Sequence, residues 1–381
     1  MRGSMMTFGI SRKSVWLAFV VGMLAIFFCA GFAQAQTVRD LPPPPPPWKA
    51  KPTPTPKPAE PEVLDVVRVT SNLVMVPVSV TDSQGQAIQG LQIPDFRLEE
   101  EGKQREITEI GNPEQIPLDI AILFDISSSV SQKGFFVFQQ NAAAAFLKQV
   151  MKPVDQAAIF TIAAKPILVQ PLSSAETAAA KVVSIPAATT SVPTAFYDTV
   201  EAAAKYLAEN SPSRHRRVIV VISDGDDNFS ERIREMSIAE ARATVKGETT
   251  PAQSLVALQA KHRRAIEDVQ QSVLKADATF YSVNPGGSSL KLNQIAMRAQ
   301  TGMATVAEAS GGTAFIPETD KDLEVVFRQV AAELRGQYLL QYYADPDVPS
   351  GSFRRIKVTV PPRQEARVRA RQGYYAKQQK Q

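Results

Sequence analysis

Four short runs in the middle of the chain, LDIAILFD (118–125), AAIFTIAA (157–164), RVIVVISD (217–224) and ATFYSVN (278–284), are apolar at nearly every position. Continuous apolar runs of this length predict parallel strands covered on both faces. Helical spacing separates them in FFVFQQNAAAAFLKQV, AFYDTVEAAAKYLAE and DLEVVFRQVAAELR. Strands alternating with helices predict an α/β fold: an open, mostly parallel, Rossmann-like sheet with helices on both faces. The stretch 230–276 is longer than a crossover needs and reads after Pro251 as one helix, expected as an insertion beside the sheet.

The two flanks follow another rhythm. Residues 63–110 hold the valine-dense VVRVTSNLVMVPVSV, a turn segment TDSQGQAIQG, and FRLEEEGKQREITEI, in which apolar and charged positions alternate. Three or four strands fit there. YLLQYYA, the turn DPDVPSG, FRRIKVTV and ARVRARQGYY close the chain in the same manner. Strands on both sides of a central domain are expected to pair, which predicts a small β-sandwich built from the N- and C-terminal strands.

The first residues are of a third kind. Arg2, Arg12 and Lys13 precede an apolar run over 15–30 and then Ala33-Gln34-Ala35, the layout of a secretory signal peptide cleaved after Ala35. The alternative is an uncleaved anchor, but the run is shorter than the roughly 20 residues a spanning helix needs. Residues 41–61, with PPPPPP and KPTPTPKP, favour extended polyproline and read as a stiff spacer. The expected organisation is therefore a signal peptide at 1–35, a proline-rich linker at 36–61, a β-rich flank at 62–114, the α/β domain at 115–336, a second β-rich flank at 337–376 and a tail at 377–381.

Charge and cysteine then narrow the chemistry. Cleavage takes three positive residues and no negative ones from a net charge of +4, leaving +1, so no field suited to nucleic acid survives. Cys29, the only cysteine, leaves with the signal, and Phe27 and Phe28 before it are too bulky for a lipid-modified site. The remaining chain has no disulfide, thiolate ligand or cysteine nucleophile. His215 and His262 are the only histidines and lie in the basic runs RHRR and KHRR, expected as solvated ends of elements. Arg354, Arg355, Lys357, Arg367, Arg369 and Arg371 alternate along the last strands, as charges that guard a sheet edge do.

In open α/β sheets ligands bind beyond the carboxyl ends of the strands. There the first strand ends in Asp125, Ser127, Ser128 and Ser129, the loop TTSVPTAFYD after the second and third strands supplies Thr194, and the fourth strand ends in Asp224. Oxygen-bearing side chains on three loops suit a hard divalent cation such as Mg²⁺ with an open position. On the bland reading, the serines cap the next helix and Asp224 fixes a turn. Asp226 and Asp227 read as turn formers.

The set D-x-S-x-S, a threonine in a middle loop and an aspartate after the fourth strand resembles the metal-ion-dependent adhesion site of von Willebrand factor type A domains, as in integrin inserted domains. It stands here as Asp125, Ser127, Ser129, Thr194 and Asp224, over roughly 117–335, with no position departing from the pattern. NLVMVPVSVTDSQGQAIQGL, DFRLEEEGK, YLLQYYADPDVPSGSFRRIKV and VRARQGYYA resemble flanks of the secreted acidobacterial group of such proteins. The resemblance implies that Ser127, Ser129 and Thr194 touch the metal, and that Asp125 and Asp224 act directly or through water. Mg²⁺, Mn²⁺ or Ca²⁺ would serve as the cation. It further implies an exported protein, periplasmic, cell-surface or secreted, whose partner presents an exposed Asp or Glu, and a last central helix, 320–335, able to shift with ligand state.

Two other functions compete with this adhesion reading. A structural subunit of a cell-envelope assembly would bind away from the metal. A metal-assisted phosphohydrolase would use Asp125 as nucleophile, but Ser127 stands where a second aspartate would serve as acid and base. A serine hydrolase lacks its GxSxG elbow. The expectation is a binding protein and not an enzyme.

Overall fold

The computed structural model describes residues 72–376 apart from 128–129, 131–135, 288–293 and 346. The expected signal peptide, proline-rich linker and tail lie outside the described residues, as does Ser129.

The central sheet has six strands. β5 (Leu118–Asp125) runs parallel to β6 (Gln156–Ile162) on one side and to β8 (Arg216–Ile222) on the other. Next come β9 (Ala278–Val283) and the short β10 (Ala314–Phe315), both parallel. β7 (Ile167–Ser173) closes the far edge antiparallel to β6. Every residue of β5, β8 and β9 is buried, because helices cover both faces. Alternation along β5 feeds two separate cores. Ile120, Ile122 and Phe124 pack with α1 (Phe136–Val150) and α7 (Asp320–Gly336), whereas Ala121 and Leu123 pack with α3 (Phe196–Asn210) and α5 (Pro251–Lys275).

α5 starts where the sequence places it, since Thr250 and Gln253 form a capping box and Pro251 takes the first helical position. It is not an insertion beside the sheet. Ala265, Val269 and Val273, four residues apart, form a buried stripe in the second core, so the helix carries the crossover from β8 to β9. α4 (Glu231–Val245) precedes it, with Ile238 and Val245 exposed.

The flanks make two antiparallel sheets. β1 (Leu73–Thr81) lies between β11 (Tyr338–Tyr343) and β13 (Arg367–Ala370), with β4 (Glu109–Gly111) beyond β11. In the other sheet β12 (Phe353–Thr359) lies between β2 (Arg97–Glu100) and β14 (Gly373–Tyr375), with β3 (Lys103–Arg105) at the edge. Val76, Val78, Leu340 and Tyr342 of one sheet share a core with Leu98, Ile356 and Tyr374 of the other. The two ends of the chain thus build one sandwich.

The basic runs are solvated only in part: Arg214, Arg263 and Arg264 are exposed, while Arg216, Arg217, Lys261 and His262 are buried. Arg216 donates to the Leu334 carbonyl at 2.7 Å, and Arg217 to the carbonyls of Ser211 at 2.7 Å and Ala276 at 2.9 Å. His215 meets the buried Asp119 at 2.9 Å. The two arginines satisfy carbonyls at helix ends, where the helix dipole also favours positive charge. Among the terminal arginines, Arg369 bonds Glu333 on α7 and Arg371 bonds Asp277 at 2.7 Å and the Met75 carbonyl at 2.8 Å. They join the sandwich to the α/β domain, while Arg355, Lys357 and Arg367 stay exposed. Replacing Arg216 with methionine is expected to lower stability by about 2 kcal/mol, since a charge-assisted bond to a buried carbonyl is lost; urea unfolding measures it, and an unchanged midpoint would refute the role.

Candidate metal centre

Asp125 ends β5 and is fully buried. One carboxylate oxygen, Oδ1, accepts the Ser127 N–H at 2.7 Å, and the other, Oδ2, accepts the Ser223 hydroxyl at 2.5 Å. Ser127 is buried beside it. Burial pushes the Asp125 carboxyl up to about 6; the nearby Asp224 charge adds to the rise, and the bonds from Ser223 and Ser127 oppose it.

Asp224 follows β8 at the same end of the sheet and is half-buried. Its loop turns through Gly225 at φ +76°, where an added Cβ would lie 2.6 Å from the Met303 methyl. A glycine is therefore favoured both by the backbone and by the neighbour. Ser223, one residue before Asp224, ties this loop to Asp125 and accepts the Gly225 N–H at 2.9 Å. Asp226 is half-buried and meets Arg298 at 3.4 Å. Burial raises its carboxyl and Asp224 raises it further, against the pull of Arg298.

Thr194 is buried in the loop before α3. The next residue, Ala195, donates its N–H to the Ala163 carbonyl just past β6 at 2.8 Å. Asn228 meets Thr194 directly, its Oδ1 accepting the Thr194 N–H at 2.9 Å. The structure thus brings Asp125, Ser127 and Asp224 together and ties Thr194 to the Asp224 loop.

Ser223 has no part in the sequence-based expectation, and Asp227 enters it only as a turn former. Asp227 is buried and accepts the N–H groups of Tyr197, Phe229 and Ser230 as well as the Ser230 hydroxyl. It is no ordinary exposed turn former. The only signal in the sequence was its place in a loop with four acidic or amide residues within five positions, 224–228.

Asp125, Ser127, Thr194 and Asp224 all offer oxygen donors, which fits a hard cation. Among the described residues no group of three or more His, Cys, Asp or Glu is arranged to hold a metal, so an ion here has to draw on hydroxyls. The crowding of Asp224 on the buried Asp125 is also a charge imbalance that a cation relieves.

The family model of the von Willebrand factor type A domain matches residues 119–300. No curated protein matches the chain. Many solved structures are similar to it, three of which follow. Proximal thread matrix protein 1 from the mussel byssus, with a zinc-occupied MIDAS motif, is 16% identical over 59% of this chain and 47% of its own, with a TM-score of 0.38. BatB from Bacteroides thetaiotaomicron is 14% identical over 56% and 97%, with a TM-score of 0.35. A von Willebrand factor type A protein from Catenulispora acidiphila is 13% identical over 77% and 71%, with a TM-score of 0.42. The chain spans about half the length of the mussel protein.

Proposed function

This chain carries a von Willebrand factor type A domain over residues 119–300, and from that premise we propose that it is an exported, metal-ion-dependent binding module that takes an acidic group of a protein partner. The observation that carries the reading is the buried Asp125, bonded by Ser127 and Ser223 and crowded by Asp224 at the open end of the sheet.

The hydroxyls of Ser127, Ser129 and Thr194 and the carboxylates of Asp125 and Asp224 would hold the ion, Mg²⁺ in the first instance, with Mn²⁺ or Ca²⁺ as substitutes. Hydroxyl ligands add no full negative charge, so the bound ion supplies attraction for an outside carboxylate. Asp125 lies too deep to attack a substrate itself, which argues against the phosphohydrolase. Export rests on the charged, apolar and small-residue order of 1–35. Among the described residues no helix is long and apolar enough to cross a membrane.

Calorimetric titration of Mg²⁺ and Mn²⁺ into the parent and into an Asp125→Ala, Ser127→Ala double variant tests the reading. One saturable site is expected in the parent and none in the variant, with the far-ultraviolet spectrum unchanged. Equal binding by both, or by neither, would move the structural envelope subunit to first place.

A further inference from the structure

Asp125 and Ser127 sit two residues apart on one loop, so the chain itself fixes their spacing. Thr194 has no such neighbour. It reaches the same face from a different loop, and its position relative to Asp224 depends on bonds across the gap between the two loops. Both backbone groups of Thr194 are used for this. Its N–H donates to Asn228 Oδ1 at 2.9 Å, while its carbonyl accepts the N–H of Asn228 at 3.1 Å and that of Phe229 at 3.0 Å. Asp227 fastens the following turn: its Oδ2 accepts the Tyr197 N–H at 2.8 Å, and its Oδ1 accepts the N–H groups of Phe229 at 3.1 Å and Ser230 at 2.9 Å. A further pair of bonds, Asp198 N–H to the Ser230 hydroxyl at 3.1 Å and Glu231 N–H to the Asp198 carboxylate at 2.9 Å, continues the seam.

We propose that Asn228, backed by Asp227, is a positioning residue that holds Thr194 in register with Asp224 across the two loops. Buried backbone groups in an irregular loop must find partners, and here one exposed asparagine supplies the acceptor for the N–H and one of the donors for the carbonyl of a buried threonine. Residues that orient a ligand without touching the metal change affinity about 10–100-fold when removed. Because the Asn228 side chain is exposed and outside the hydrophobic cores, its loss should leave the fold intact. The effect on metal affinity rests on the metal-binding reading; the effect on the loop does not.

The full chain, Asn228→Ala and Asn228→Asp are compared in three measurements: amide exchange at Thr194 without metal, the thermal midpoint without metal, and Mn²⁺ affinity by calorimetry. In Asn228→Ala the Thr194 amide should exchange about tenfold faster or more, the midpoint should fall by only a few degrees, as the loss of one bond to a buried N–H predicts, and Mn²⁺ should bind about 10–100-fold more weakly. Asn228→Asp keeps the acceptor oxygen and should restore the protection of Thr194. Parent-like protection in Asn228→Ala overturns the proposal, and so does an unchanged Mn²⁺ affinity once protection is lost. A parent that takes up no Mn²⁺ defeats the metal reading, and the exchange rates alone then uphold or overturn the clamp.

Discussion

Truncating Glu100 to alanine is expected to destabilise the protein by about 3–5 kcal/mol, because it strips the partner from a buried cluster of polar groups. Glu100 ends β2 with no exposed surface. Its Oε1 accepts the hydroxyls of Tyr342 at 3.1 Å and Tyr374 at 2.7 Å, and its Oε2 accepts Arg105 at 2.8 Å and Arg354 at 3.4 Å. These partners come from both sheets of the sandwich, so one carboxylate fastens the N-terminal flank to the C-terminal one. Its removal leaves two tyrosine hydroxyls without their acceptor and two cations short of one, although Arg105 keeps Asp345. Tyr374→Phe removes one bond only and should cost about 1 kcal/mol. Denaturant unfolding of both variants reads the difference. A loss below 1 kcal/mol in Glu100→Ala would mean that the cluster re-forms around water.

Acid should destabilise the fold through His262. Its Nδ1 lies 2.9 Å from the Tyr197 hydroxyl inside the second core. Burial, reinforced by the charges of Arg298 and Lys261, pushes the imidazole down to about 4. An unfolded chain takes up the proton near the ordinary value of about 6.5, and the folded one only near 4. The contribution is therefore present above pH 6.5 and lost as pH falls from there to 4, by about 3 kcal/mol in all. In His262→Gln the stability curve should flatten over that window, even if the variant is less stable at neutral pH. Parallel curves for parent and variant would show that the imidazole titrates in the folded state as it does in the unfolded chain.

The two residues also show where sequence reading stops. The runs 118–125, 217–224 and 278–284 are apolar at nearly every position, and runs this short between helical patterns point to strands covered on both faces; the sheet and its helices were therefore legible in the sequence. The same holds for the α5 start at Pro251 and for the strand-rich flanks. The alternation in FRLEEEGK even put Leu98 and Glu100 on one face, but alternation alone could not say that a carboxylate on the inner face meets two tyrosines and two arginines. Three of those partners are far from it in the chain, Tyr342, Arg354 and Tyr374, the last by 274 residues, and only Arg105 is near.

What the sequence by itself determined was the α/β order, the β-rich ends and the identity of the strand-end oxygens, since each depends on local pattern and on a general rule about where open sheets bind. Only the tertiary structure decided that α5 is a crossover and not an appendage, and that the RHRR and KHRR runs are partly buried. It alone made Asp227 and Asn228 a seam between the Asp224 and Thr194 loops. A charged or amide side chain has the same identity in water and in a core; its role depends on which distant carbonyl, hydroxyl or N–H the fold places within hydrogen-bond reach.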